Sequence, residues 1–516
     1  MSISFGPATK GSLGIYYDRW HALHEHIDKL RDSYEKYPNP FPRRNAILNL
    51  LKSLQVFSKG QFEFFYHGFD PAAQPAGPAN HLRLQVWDAF PPEDVLTGIL
   101  LQVQNDLDLI QRAATQRIFG DKNARDTLDY ADQLAWLALQ PAIDAGVIDE
   151  PTIVLTHFQK SAEFYTIPYA NVALIAIPFT CTSRSTCSDF LSIPHEVGHY
   201  VYRHPTQAIQ DALNGLRLAP PVDPQYQGWI KAIFEEMCAD IYGCLVAGPV
   251  MALDFQGLSL ANSQADFQGG DGEHPNPALR PLVYCEVLAS PLVDNLVKGN
   301  WKTVSEKLAR GWNQQLLMRH LDTFVLKGSS SAAQPASQPA VQPTVLAARP
   351  YVSGRLLNIA NAAAADSAPS PLAKVIRGVV DKMLAQVQAF IQKEPDKAKT
   401  ILTGWTKVDE NTDPDKLLDD FCDNFDRLLA LPKKPLPPDP DPLAVRSWKE
   451  WLGDKNNKIA AWNHSDPLPS GEVKNPDLME PNTWGYILYA NGWTVSGPSG
   501  DNAGHPSGDN AGHPEV

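Results

Sequence analysis

The stretch His195-Glu196-Val197-Gly198-His199 sits inside Ser188 to His204, a run whose apolar residues recur at helical spacing. On a helix, positions i and i+4 share one face, so both imidazoles can reach one ion, each about 2.0–2.1 Å from a zinc. Glu196 projects about 100° round the helix from His195, toward the place where a metal would hold water, and that is where a general base belongs. Such a pattern arises by chance on the order of once in a hundred chains of this size, so a second, independent signal is needed.

That signal lies 37 residues past His199, at Glu236-Met237-Cys238-Ala239-Asp240, within Gly228 to Val246, another run of helical spacing. Glu236 offers an oxygen ligand, and Asp240, one turn on, a second carboxylate on the same face. Two histidines and one glutamate leave the fourth zinc position open to water, which separates a catalytic site from a closed structural one. Asp240 is then the acceptor for the non-ligating N–H of His195, fixing its tautomer. Glu235 also precedes this turn, but only Glu236 has the ExxxD spacing to Asp240.

With these residues the chain resembles the gluzincin metallopeptidases, whose HExxH is followed by a helix bearing ExxxD, here extended by Ile241-Tyr242-Gly243. The resemblance to thermolysin-type enzymes covers Ile153 to Arg280. It implies a zincin core: a small sheet above two zinc-binding helices, a cleft between them and one catalytic Zn2+. It further implies that the strand before the first zinc helix, Tyr169 to Pro178, is an edge that holds extended substrate, with Asn171 and Ala173 as substrate-binding positions. An open strand edge binds peptide backbone regardless of side chains; the other reading of this apolar run is an ordinary core strand.

His274-Pro275-Asn276-Pro277-Ala278-Leu279-Arg280 is similar to the His-Pro segment ending in Arg of several gluzincin branches, the prenyl-protein protease type among them. His274 is then a catalytic donor to an oxyanion and Arg280 a substrate-binding residue. Alternatively, His274 and Pro275 merely open a helix near Pro277, and Arg280 pairs a surface carboxylate. Tyr226 is a further candidate donor. The metzincin pattern is excluded, because Tyr202 and Pro205 stand where it needs Gly and His.

Outward from this core, residues 1–150 read as a helical N-terminal region, with His21 to Tyr34, Ala46 to Phe57, Val95 to Ile118 and Ala124 to Leu139 at helical spacing. Residues 151–326 form the expected catalytic domain: strands at Thr152 to Thr156 and Asn171 to Phe179, the two motif helices, a polar stretch from Asp254 to Gly272, and a helical run from Pro277 to Leu326. The Gln-Pro and Ala-Ser repeats make 327–348 a disordered linker, which sets 349–431 apart as a helical module. A Pro/Trp-rich region, 432–495, includes a possible hairpin turning at Asn491-Gly492, and 496–516 is a disordered repeat tail. The expected fold class is α+β, predominantly helical, with a small mixed sheet.

The 516 residues carry a formal charge of -14, which argues against nucleic acid and anionic membranes as partners. No apolar run is long enough for a membrane helix, and Met1 to Trp20 lacks the apolar segment of a secretory signal, so a cytoplasmic location is expected. The six cysteines include no CxxC pair and suggest neither a disulfide framework nor a thiolate zinc site; Cys181 and Cys187 are near enough for a loop disulfide if the chain is exported.

Function expectations follow from the site. The first is a zinc peptidase acting on a peptide or protein substrate. The rivals are a non-catalytic zinc scaffold, with a protein partner at the Pro/Trp-rich region, and a zinc hydrolase of a non-peptide ester or amide.

Overall fold

The computed structural model describes residues 13–68, 92–148, most of 152–319, 371–391 and most of 404–429. It is predominantly helical with one small mixed sheet, an α+β arrangement. The described residues fall into two compact units, one from those of 13–119 with 166–172, the other from those of 120–165 and 173–429.

In the first unit, α1 (Gly14–Glu35), α2 (Arg44–Gly68) and α3 (Pro92–Phe119) follow the expected helical spacing. That spacing buries Trp20 and Ile27 of α1, Leu50, Leu54 and Phe57 of α2, and Leu96, Ile99 and Val103 of α3. Trp20 stacks on Phe62 with centroids 5.1 Å apart. The segment Thr166–Val172 joins through Tyr169, whose hydroxyl donates to Asp106 Oδ2 at 3.1 Å and whose ring lies 5.5 Å from that of Phe57.

The second unit opens with α4 (Lys122–Asp144), started by Asp121, whose carboxylate accepts from the Ala124 N–H at 2.8 Å. Its Asp132 accepts from the Thr156 N–H at 2.8 Å and so ties α4 to strand β1 (Ile153–Gln159). The boundary expected at residue 150 therefore falls one helix late. Strands β2 (Glu163–Tyr165) and β3 (Val172–Pro178) complete the sheet in the order β1-β3-β2, with β2 antiparallel to β3 and Phe164 opposite Ile175.

This order corrects the expectation for Tyr169 to Pro178. Strand β3 is central, with neighbours on both sides, and Val172 through Ile177 are all buried. Its backbone groups are already paired, and Ala173, fully buried, has no open edge to offer a peptide; Asn171 merely precedes the strand. Among the described residues, the edge beyond β3 is β2.

Two 3-10 turns, Phe179–Thr182 and Arg184–Ser192, lead into α5 (Ile193–Arg203). Next come α6 (Gln207–Leu218), α7 (Pro224–Ala232), α8 (Phe234–Ala247) and α9 (Pro249–Leu260). Helix α8 stops at Gly248, whose φ of 76° suits glycine alone, and Pro249 starts α9 in the first-turn position that tolerates proline. The polar stretch expected from Asp254 thus begins inside a helix, and its Gln256 is buried and donates to the Leu308 carbonyl at 3.1 Å. The later helical run divides into α10 (Arg280–Ala289) and α11 (Trp301–Met318).

Helices α12 (Pro371–Ile391), α13 (Leu417–Asp423) and α14 (Phe425–Leu429) lie in the region expected to be a separate module. Instead, Val379, Val380 and Met383 of α12 and Leu417 and Phe421 of α13 share one core with Val197, Met237 and Val283. A disulfide between Cys187 and Cys422 crosses 235 residues and joins the turn before α5 to α13, with a Cα separation of 5.8 Å. This corrects the reading of the cysteines as unpaired, and also the alternative in which Cys187 pairs with Cys181. The segments 327–348, 432–495 and 496–516 lie outside the described residues. Among the described residues no helix is long and apolar enough to cross a membrane.

Candidate metal centre

Helix α5 has Pro194 in its first turn, where the missing N–H costs no hydrogen bond, and Glu196 there faces the positive end of the helix dipole. Helix α8 carries Glu235 and Glu236 in its own first turn for the same electrostatic benefit. The two helices pack with Gly198 against the backbone of Ala239, which stands between Glu236 and Asp240. That close approach brings the two motifs within reach of each other.

His195 Nε2 and His199 Nε2 are 3.2 Å apart, and the Glu236 carboxylate spans them, with Oε2 3.3 Å from His195 Nε2 and Oε1 3.3 Å from His199 Nε2. Two ligands set tetrahedrally at 2.0–2.1 Å from one zinc are about 3.3 Å apart, and each of these three spacings matches that separation. Among the described residues this is the group of His, Cys, Asp and Glu side chains that could hold a metal ion. Nitrogen and oxygen donors of this kind suit zinc and other divalent transition metals.

Behind His195, Nδ1 lies 3.0 Å from Asp240 Oδ1. Arg280 clamps the same carboxylate, Nη2 to Oδ1 at 2.8 Å and Nε to Oδ2 at 2.9 Å, and the Tyr284 hydroxyl donates to it as well. Asp240 is fully buried; burial pushes its carboxyl up, but the Arg280 cation and the His195 hydrogen bond prevail and hold it below the usual range. Arg280 also reaches Glu236 Oε2 at 3.3 Å and lies over the Phe255 ring at 4.8 Å. Arg280, expected to bind substrate, thus pairs with Asp240 behind His195 and with the ligand Glu236, and its Nη2 also lies 3.0 Å from His195 Nε2. The surface-carboxylate alternative fails, because its partner is buried.

On the other side, His199 Nδ1 lies 3.1 Å from Glu235 Oε1, and Arg203 Nε donates to that oxygen at 2.6 Å. Burial disfavours a charged His199, but hydrogen bonds to Glu235 and Glu236 and the nearby Glu196 charge outweigh it, pushing His199 up to about 10. Glu236 is held far below the usual carboxylate range: burial opposes this, and its contacts with the two histidines decide it. A metal entering the triangle would displace the shared protons.

Glu196 is buried in the first turn of α5. His274 Nε2 lies 3.5 Å from Glu236 Oε1, and its side chain is 45% exposed, on the solvent side of the cluster. Its segment is anchored by Asn276, which accepts from the Ala278 N–H at 2.9 Å, and by Trp312 Nε1, which donates to the Ala278 carbonyl at 2.9 Å. On β2, the Phe164 ring is parallel to His199 with centroids 6.5 Å apart. The side chain of Tyr226 is outside the described atoms.

The structure therefore brings His195, Glu196, His199, Glu236, Asp240, His274 and Arg280 together, and leaves Asn171 and Ala173 out. Sequence reasoning missed Arg203, Glu235 as a hydrogen-bond partner, Tyr284 and Phe164. Only Arg203 carried a readable signal, one helical turn after His199 on the same face. No family model matches the chain, and neither the curated proteins nor the solved structures yield a match.

Proposed function

We propose that this chain is a zinc-dependent metallopeptidase with a zincin-like core. The ligand triangle of His195, His199 and Glu236, sized for a zinc and backed by two hydrogen-bonded carboxylates, carries this reading. Zinc bound there would polarise the scissile carbonyl and lower the pKa of a water at the open position.

The chain's own residues supply the rest. Glu196 takes a proton from the attacking water and passes it to the leaving amine as the C–N bond breaks. His274, exposed beside Glu236, donates to the developing oxyanion. The outer edge of β2, the terminal strand of the sheet among the described residues and next to His199, holds the peptide extended through backbone hydrogen bonds, in the role first assigned to β3. Asp240 and Arg280 orient His195.

Glu196→Gln tests this directly on an unstructured protein substrate. The variant is expected to keep its metal and lose at least ~100-fold in hydrolysis, the scale of a lost general base. Full activity in the variant would sink the mechanism. Cleavage of esters but not peptides by the wild type would move the chain to the non-peptide hydrolases.

A further inference from the structure

Each metal-facing histidine has the same backing on its far side. His195 leans on Asp240, which is clamped by Arg280; His199 leans on Glu235, which is clamped by Arg203. The first arm belongs to the ExxxD pattern. The second does not, since Glu235 was set aside as a near-miss for the ligand itself. Its geometry is nonetheless that of an imidazole held by a carboxylate, 3.1 Å from Nδ1, with a guanidinium fixing that carboxylate at 2.6 Å.

We infer that Glu235, held by Arg203, is a second positioning residue, one that fixes the tautomer and ring orientation of His199 so that Nε2 faces the metal; this rests on the metal site proposed above. An imidazole with Nδ1–H given to a carboxylate presents its Nε2 lone pair, and a carboxylate makes that lone pair more basic than a neutral acceptor would. Arg203 does two things. It keeps Glu235 from swinging toward the ion as a rival ligand, because Nε already claims the oxygen that faces His199. It also balances charge: Glu196, Glu235, Glu236 and Asp240 stand against Arg203 and Arg280, which leaves two negative charges for a divalent cation to neutralise. Charge balance of this kind lowers the cost of burying the loaded site.

The test uses the full-length chain stripped of metal, titrated with zinc against a chromophoric chelator and, separately, with cobalt(II), whose visible spectrum reports ligand geometry. Glu235→Ala is expected to weaken zinc binding ~10–100-fold and to alter the cobalt spectrum. Glu235→Gln still accepts from Nδ1–H but loses the ionic pair with Arg203, so it is expected to restore the wild-type cobalt spectrum and most of the affinity. If Glu235→Ala binds zinc as tightly as wild type, or Glu235→Gln is as impaired as Glu235→Ala, the positioning role is overturned and the metal site stands. If the wild type itself binds no zinc, the metal site falls and this inference with it.

Discussion

Gly198 meets Ala239 backbone to backbone: a Cβ on Gly198 would stand 2.7 Å from Ala239 Cα and 2.8 Å from its carbonyl oxygen. Both contacts are with main chain, so neither can swing aside. The glycine inside the histidine motif is therefore what lets α5 and α8 close until His195, His199 and Glu236 share one point. Gly198→Ala is expected to push the helices apart, to cost ~1–3 kcal/mol as overpacking does, and to lose zinc affinity out of proportion to that cost. Urea unfolding together with zinc titration checks this; a variant with wild-type affinity would show that the close approach is unnecessary.

Arg280 and Asp240 form a buried charge pair, and removing one partner strands the other. Arg280→Met is expected to destabilise the chain by ~3–5 kcal/mol, and the double variant Arg280→Met/Asp240→Asn to recover a substantial part of that loss. Urea unfolding of the two single variants and the double variant gives the coupling. Strictly additive losses would contradict the pairing.

Asp106 gives the first unit a pH dependence of definite sign. Burial pushes its carboxyl up to about 7, with hydrogen bonds from Tyr169 and Gln102 pulling only partly back. The unfolded chain releases this proton near pH 3.9, whereas the folded chain keeps it until about 7. Stability from this group is therefore full below the lower value, falls as pH rises between the two, and is flat above the higher. Asp106→Asn, which keeps an acceptor for Tyr169, is expected to be more stable than wild type by ~2–4 kcal/mol at pH 8 and equal to it near pH 4. A difference independent of pH, measured by urea unfolding across that range, would refute this.

The Cys187–Cys422 bond closes a span of 235 residues, so it removes much freedom from the unfolded chain. Cys422→Ser is expected to cost ~2–4 kcal/mol, and wild type to lose a similar amount on reduction. Peptide mapping without reductant should recover the two cysteines in one linked fragment. Free thiols at both positions would show that the bond does not form.

The local parts of this molecule were legible in the sequence, and its long-range pairings were not. The two motif helices, the ligand triangle and the helices of residues 14–144 follow from spacing along one helix face, which a sequence displays directly. The central position of β3 was half visible: Val172 to Ile177 is apolar at every residue, as a strand buried on both faces should be, and the edge assignment came from resemblance instead. Strand β2 is three residues long and carries no alternation to detect. Nothing local says that Arg280 will find Asp240 across 40 residues, or that α12 and α13 will pack into the core after a linker-like stretch. Composition marks where a chain loosens but not where the next helix lands.

Metal content of the purified full-length chain, by mass spectrometry under native conditions, tests the central claim most directly. The account predicts about one zinc per chain in the wild type and none retained in Glu236→Ala, which deletes one of the three ligands. A wild type that takes up no zinc, or a Glu236→Ala variant that holds it as well as wild type, would contradict the assignment of His195, His199 and Glu236 as a metal site.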